Sequence, residues 1–547
     1  MAMALCQVIF PREAMALAKR LPTDGLCSVS GLPSKIQYSK VALRESFSSY
    51  SFRRAKTVPV LRGEAISQCV TPPESIELPK DLTWPNRTRF SGDAKAKLIA
   101  VVGAETLSPL GDATWEEVMR HMASRISWVD NGFELIVFTD KSLTSGLLAS
   151  EFRAALQEAT ILVVVSVQEG EPARYLLNCT AEISTSVSFD SDPAFETRLG
   201  GVKVFPEGPI ESFFKVLPGS NISRNVKIFE TVAQAWERHS SDNYCFAILV
   251  LIDSYASSVK LLKNLRATNL ASIQCMVKNC RSKILACILD PTCRKALQCL
   301  TSCAPSDQVC SYRCIASYES PLFEAFSLCV LQKHNCLGLT AEIQMEPNVI
   351  PMSRFKGEPL THLTAEDLFV GWLGKLDWSW RVVGGQNAAY DQFPCQYQLF
   401  YRGKAKGSMW YDPVFQVQTL DGQLVWRRRH YRVKRGEIPG TFYFSVLDNG
   451  VVSKEFWRIV DVTDDLSWGL FYYSGAAEVV GQSYTGAVLV SPDGLWPAES
   501  EQKRLNIALQ NCGIKTWEMY SVDNCSCDNA PLGIPEGSRL QLSVLSS

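Results

Sequence analysis

Between Lys97 and about Lys263 the apolar residues come in unbroken runs, at 98–102, 135–139, 161–167 and 246–252. Runs of this length without alternation suit parallel strands buried on both faces. Helical spacing over 115–127 and 228–240 separates them, so residues 95–268 read as an α/β domain with a mostly parallel sheet. From Leu363 onward the period changes to two. Residues 415–426 alternate apolar and polar around Asp421-Gly422, a strong hairpin cue, and Asp448-Asn449-Gly450 repeats it. Further strands are predicted at 396–402, 441–446, 456–462, 469–473 and 485–490, with a closing helix over 505–510. This pattern predicts a small antiparallel barrel of about eight strands over 363–547, wide enough for one elongated apolar ligand.

Ten of the nineteen cysteines fall between these two regions: Cys275, Cys280, Cys287, Cys293, Cys299, Cys303, Cys310, Cys314, Cys329 and Cys336. Cys299/Cys303 and Cys310/Cys314 are i, i+4 pairs, which share one face of a helix. Two such helices, turned back at Ala304-Pro305-Ser306-Asp307, would set Cys303 against Cys310 and Cys299 against Cys314. The same nesting puts Cys280 with Cys287 inside Cys275 with Cys293, and Cys329 with Cys336 closes a short loop. Connectivity is not fixed by sequence alone. A metal is the rival reading, but the run lacks a Cys-x2-Cys knuckle and His334 is its one nearby imidazole. Residues 270–340 therefore read as a disulfide-braced helical domain, with no metal expected. Residues 341–362, with Pro347, Pro351 and Pro359, read as a linker.

A net charge of -1 argues against nucleic acid as a partner. The apolar runs at 161–167 and 245–252 are too short to span a bilayer, so a soluble chain is expected. Residues 1–60 are basic and serine-rich without an apolar secretory core, the profile of an organelle transit peptide, with a basic tail as the alternative. Residues 61–94, with Pro72-Pro73, Pro79 and Pro85, read as a linker. A disulfide framework calls for an oxidising space. In the α/β domain, residues 103–111 match neither a dinucleotide fingerprint nor a phosphate-loop lysine motif. A structural role or a protein partner is the reading for that domain, with ligand binding as the alternative.

The cysteine spacing, Asp391-Gln-Phe-Pro-Cys395-Gln396, Thr419-Leu-Asp421, Pro439-Gly440, Phe471-Tyr-Tyr473-Ser-Gly475 and Thr485-Gly-Ala-Val488 together resemble the violaxanthin de-epoxidase family over residues 270–530. The resemblance is closest to its de-epoxidase-related branch, since the enzyme proper lacks the α/β domain. It implies a lipocalin-like barrel that uses ascorbate as co-substrate to remove epoxides from violaxanthin-type xanthophylls in the chloroplast. Thylakoid association is implied, with lumen and stroma both open and room for a peripheral membrane contact. Trp380, fifteen residues before Cys395, takes the place of the lipocalin signature tryptophan, with Trp378 where a glycine is usual. The resemblance also implies a bridge from Cys395 to a cysteine near the barrel's end. Cys525 is the best-placed partner, with Cys512 and Cys527 competing.

Carried over position by position, the resemblance implies that Asp391, Glu455 and Tyr473 are catalytic. Gln396, Trp457 and His430 would bind substrate or ascorbate. An acid must protonate the epoxide oxygen and a base must take a proton from the ring, work suited to carboxyls whose pKa burial has raised. Three departures stand against this. Pro394 replaces a second acidic residue, Gln398 and Tyr401 stand where the family has histidines, and Glu455 is one methylene longer than the family's aspartate. Each candidate also has a plain structural reading: Asp391 as a turn cap, Glu455 as a solvated strand residue, Tyr473 as core, and His430 as an exposed strand end. Two functions follow: a xanthophyll-epoxide de-epoxidase, or a non-catalytic carotenoid- or lipid-binding lipocalin or plastid regulator.

Overall fold

The computed structural model describes residues 95–538 apart from 144–145, 181–182, 205–220, 260–261, 263–269, 305–306, 371–378 and 389–390. The leader expected over 1–60, the linker over 61–94 and Trp378 lie outside the described residues.

In the α/β domain the strands are β1 (Ala96–Val102), β2 (Phe133–Thr139), β3 (Ala159–Val165), β4 (Ser186–Phe189), β5 (Arg198–Leu199) and β6 (Val202–Lys203). They lie in the order β2-β1-β3-β4-β5-β6, the first four parallel and the last two antiparallel at the edge. The helices are α1 (Trp115–Val129), α2 (Gly146–Glu158), α3 (Glu171–Cys179), α4 (Asn221–Trp236) and α5 (Ser241–Tyr255). Residues 246–252, expected as a fourth core strand, belong to α5. The Ser240 hydroxyl caps this helix by accepting the Asn243 N–H, and Tyr244, Cys245 and residues 247–253 are buried. A helix wrapped on all sides by core shows no polar face, so its apolar run imitates a buried strand. Ser240, expected to end one helix, starts the next; α4 stops at Trp236.

The cysteine-rich domain holds α6 (Leu270–Leu289), α7 (Pro291–Ser302), α8 (Gln308–Tyr318) and α9 (Pro321–Ser327), then a π-helical turn over Leu328–Lys333. The nested pair across α7 and α8 is present: Cys299–Cys314 and Cys303–Cys310. The other expected pairings are corrected to Cys275–Cys336, Cys280–Cys329 and Cys287–Cys293. Cys280 and Cys287 both lie in the unbroken helix α6, where seven residues separate them by about 10 Å of rise, beyond the reach of a disulfide. The chain instead returns beside α6, bringing Cys329 and Cys336 to Cys280 and Cys275. Cys287 then bridges the turn into α7, where Asp290 caps the helix.

The linker forms a small hairpin, β7 (Arg354–Phe355) with β8 (Glu358–Pro359). Residues 363–370, read as the onset of β structure, belong to the helix α10 (His362–Val370). The barrel strands are β9 (Trp380–Gly385), β10 (Tyr397–Arg402), β11 (Met409–Gln418), β12 (Leu424–Arg428), β13 (Tyr431–Arg435), β14 (Thr441–Asp448), β15 (Val451–Val462), β16 (Gly469–Ala477) and β17 (Gln482–Ser491). β9 pairs with both β10 and β17, which closes the sheet. β12 and β13 both pair with β11 and act as one interrupted stave, so the barrel has eight and is lipocalin-like. Helix α11 (Gln502–Asn511) packs outside, and β18 (Tyr520–Ser521) adds to β9 at Gly384 and Gly385.

Both ends of the barrel are covered. At one end α10 inserts Phe369 among Phe400, Phe442 and Phe471, with ring centroids 4.4 to 4.8 Å apart. The Trp380 indole N–H donates to the Leu368 carbonyl at 2.9 Å and ties this helix to β9. At the other end the cysteine-rich domain sits on the hairpin tips. Arg313 donates to the carbonyls of Gln418 (2.9 Å) and Thr419 (3.2 Å), and the Val452 N–H donates to Gln332 Oε1 at 2.8 Å.

Candidate functional site

Alternation along the strands sends Glu455 and Trp457 of β15, Tyr473 of β16 and Tyr484 of β17 to the barrel interior, where they line one cavity with Asp391 and Gln396. Its volume is about 50 Å³. Asp391 lies in the loop after β9 and is buried; its Oδ2 accepts the Asn387 N–H at 2.7 Å and the Tyr473 hydroxyl at 3.3 Å. Room for it comes from Gly385, where a Cβ would lie 2.2 Å from Asp391 Cβ. Glu455 accepts the Trp457 indole N–H at 2.7 Å and the Tyr484 hydroxyl at 2.8 Å. Gly475, opposite both Glu455 and Tyr484, leaves space for the Tyr484 ring. The Trp457 and Tyr473 rings stack, with centroids 5.0 Å apart.

Burial dominates the electrostatics of these groups. It pushes Asp391 up to about 8 against the opposing Asn387 N–H and Tyr473 hydroxyl, and the neighbouring Glu455 adds to the rise. Burial likewise raises Glu455, partly offset by its bonds from Trp457 and Tyr484. Tyr473 is held well above its ordinary value by burial and by the two carboxyls. The cavity thus keeps carboxyls in the protonated form at pH values where a solvated carboxylate is ionised, the state a proton donor needs.

The structure brings together Asp391, Glu455, Tyr473, Trp457 and Gln396; Gln396 donates to the Phe393 carbonyl at 2.8 Å. It does not bring His430. At the break between β12 and β13 the alternation turns Arg429 inward and His430 outward, so His430 is half-exposed. Its Nδ1 lies 2.7 Å from Asp412 Oδ1 and its ring stacks on Trp410 at 4.3 Å. The expected Cys395–Cys525 bridge is corrected to Cys395–Cys527. The Cys525 N–H donates to the Asp523 carboxylate at 2.9 Å, and its side chain faces solvent. Tyr484, Tyr411 and Arg429 were missed as lining residues. Period two from Val488 back to Tyr484 carried the signal for the first. Two groups of side chains converge as metal ligands do, Cys280, Cys329 and His334, and Cys303, Cys310 and Cys314, but their sulfurs are committed to disulfides and offer no thiolate. Among the described residues no helix is long and apolar enough to cross a membrane.

Comparison with known proteins follows the same boundaries. Residues 272–524 match the family described as the VDE lipocalin domain. The chain is 24% identical over 349 residues to the chloroplastic violaxanthin de-epoxidase of Nicotiana tabacum, covering 61% of this chain and 67% of that protein. It is 23% identical over 274 residues to that of Spinacia oleracea, covering 48% of this chain and 53% of that protein. Among solved structures, lobster apocrustacyanin A1 aligns with a TM-score of 0.21 at 15% identity over 28% of this chain and 78% of its own. An odorant-binding protein aligns with a TM-score of 0.20 at 13% identity over 26% of this chain and 86% of its own. Over residues 272–524, which hold its cysteine-rich domain and barrel strands, the chain is similar to the violaxanthin de-epoxidase family.

Proposed function

We propose that this chain is a plastid de-epoxidase that acts on violaxanthin-type xanthophyll epoxides with ascorbate as reductant. The observation that carries the reading is the pairing of two buried carboxyls, both shifted toward the protonated form, with Tyr473 in one barrel cavity. The chloroplastic relatives support the compartment. In this reading protonated Asp391, hydrogen-bonded to Tyr473, delivers a proton to the epoxide oxygen. Glu455 serves as the partner that exchanges a proton with the ring. Both C–O bonds break, the carbons regain a double bond, and the oxygen leaves as water. The two electrons come from ascorbate, which is oxidised to dehydroascorbate. Trp457 and Tyr473 supply the aromatic wall against which the ring end packs.

A cavity of about 50 Å³ is far below the roughly 300 to 1,000 Å³ of ordinary ligand pockets. In this reading the substrate is admitted when one covered end, α10 or the cysteine-rich cap, moves aside. The second reading, a non-catalytic xanthophyll or lipid binder, is favoured by Pro394, which neither donates nor accepts a proton where the family has an acid. Purified oxidised protein supplied with violaxanthin and ascorbate at mildly acidic pH is expected to form antheraxanthin and zeaxanthin, and Glu455→Gln to lose product. Pigment recovered unchanged at every pH from mildly acidic to mildly alkaline would establish the binder and end the enzymatic reading.

A further inference from the structure

Among the described residues, Arg429 is the one cationic side chain on a cavity wall otherwise made of carboxyls, amides, tyrosines and apolar groups. A guanidinium keeps its charge in such surroundings. Two of its nitrogens have carboxylates within ion-pair distance: buried Nε lies 2.9 Å from Asp448 Oδ2, outside hydrogen-bonding geometry, and Nη1 lies 3.6 Å from Glu319 Oε1. Glu319, at the C-terminal end of α8 in the cysteine-rich cap, is partly exposed and shared with Arg427. The third nitrogen, Nη2, is buried with no acceptor in hydrogen-bonding geometry. Over the guanidinium lies the Tyr312 ring, 5.9 Å away. Beside Tyr312 the rings of Phe393 and Phe415 stack in parallel at 5.6 Å. A buried guanidinium at the seam between cap and barrel, with only the Tyr312 side chain beside Nη2 and with flat aromatic walls and two buried carboxyls nearby, is chemistry for a planar anion, which a guanidinium grips through paired N–H bonds.

We propose that Arg429 anchors an anionic co-substrate of the enediolate or carboxylate class, taken up at the Tyr312 seam of the barrel. The identification of this co-substrate as ascorbate rests on the de-epoxidase reading; the anion site itself does not. The anion takes Nη2 and displaces the long contact to Glu319, while Asp448 keeps Nε in place. Because the enclosed space is smaller than such a ligand, binding goes with separation of Tyr312 from Phe393 and Phe415. The reductant then enters from the cap side, next to Asp391 and Glu455.

The test is equilibrium binding of L-ascorbate to the full-length, disulfide-intact protein without oxygen or xanthophyll, followed by calorimetry and by tryptophan fluorescence. Arg429→Gln is expected to weaken binding at least tenfold. Arg429→Lys, which keeps charge and bulk but not the fork, should fall between. Glu319→Gln, which removes the competing carboxylate and leaves Arg429 in place, should bind as well as or better than the wild type. In turnover, Arg429→Gln should raise the KM for ascorbate at least tenfold with little change in kcat or in xanthophyll binding. Equal ascorbate affinity in folded Arg429→Gln and wild type, or no ascorbate binding by the wild type, overturns the proposal. Should Arg429→Gln fail to fold, unchanged affinity in Arg429→Lys together with weakened binding in Glu319→Gln overturns it. Arg429-dependent binding without turnover leaves this site standing and removes the de-epoxidase reading. Turnover with an unaltered KM in Arg429→Gln does the reverse.

Discussion

Tyr473 stands directly across the sheet from Gly486, and a Cβ on Gly486 would lie 2.4 Å from the tyrosine hydroxyl. The hydroxyl reaches Asp391 because the neighbouring strand gives up a side chain at that point. Gly385 and Gly475 do the same for Asp391 and Tyr484, so three glycines on consecutive inner strands clear the space for the polar cluster.

Gly486→Ala should therefore act on the site as well as on the fold. The added methyl overpacks a closed barrel, at a cost of about 1–3 kcal/mol, and pushes the ring off Asp391. On the proposed de-epoxidase function, a misplacement of this kind lowers the rate by on the order of 100-fold. Urea denaturation and de-epoxidation assays on Gly486→Ala and Tyr473→Phe separate the two effects. A Gly486→Ala variant as active as the wild type would show that the Tyr473–Asp391 contact has no role.

Asp391 makes stability depend on pH in a defined sense. Its folded value, pushed to about 8, lies above the ordinary 3.8, so the native state binds more protons between these values than the unfolded chain does. Stability is greatest below the lower value and declines as pH rises to about 8, at no more than about 1.4 kcal/mol per pH unit for one proton. Asp391→Asn is expected to remove this decline, and melting temperatures from pH 4.5 to 8 read it out. An unchanged slope in the variant would mean that Asp391 ionises normally in the fold.

The barrel and the cavity were largely legible in the sequence because period two assigns a direction to each side chain. Glu455, Trp457 and Tyr473 could be placed inside from the resemblance, and the hairpin cues at Asp421-Gly422 and Asp448-Asn449-Gly450 marked the turns. Helix α5 was not legible, since burial on every side erased the periodicity that tells helix from strand. The disulfides show the same limit: the local pairs on α7 and α8 followed from i, i+4 geometry, whereas Cys275–Cys336 and Cys280–Cys329 depend on α6 running unbroken. His430, which the resemblance implied as a binding residue, turns outward, and Arg429 turns inward, where the break between β12 and β13 resets the alternation.

The Cys395–Cys527 bridge fastens the loop that carries Asp391 to the C-terminal segment, closing a span of 132 residues. Cys395→Ala/Cys527→Ala should cost about 2–5 kcal/mol and loosen Asp391. Alkylation before reduction, followed by peptide mapping, should label exposed Cys525 and leave Cys395 and Cys527 joined. Labelled Cys527 would reverse the pairing.

Glu518 fastens the α/β domain to the barrel side of the molecule. Its Oε2 lies 2.8 Å from His121 Nε2, its Oε1 accepts the Ser241 hydroxyl at 2.5 Å, and Arg125 Nη1 is 3.4 Å away. Burial alone would push this carboxyl up, but the bonds and charges of His121, Arg125 and Ser241 outweigh it and hold it below its ordinary 4.5. The unfolded chain then binds the proton more readily, so this contribution is fully present above pH 4.5 and is lost as pH falls through the folded value, opposite in sign to that of Asp391. Glu518→Gln should lower stability by about 1–3 kcal/mol near pH 6, because it removes the charge that faces His121 and Arg125, while Arg125 keeps Asp242 and Ser241. The deficit should shrink as pH falls below 4.5 toward the folded value, beneath which the wild-type carboxyl is also neutral. Calorimetric unfolding at pH 3.5, 4.5 and 6 checks both statements, and a deficit that stays constant across this range would show that the contact between the two domains owes nothing to the charge on Glu518.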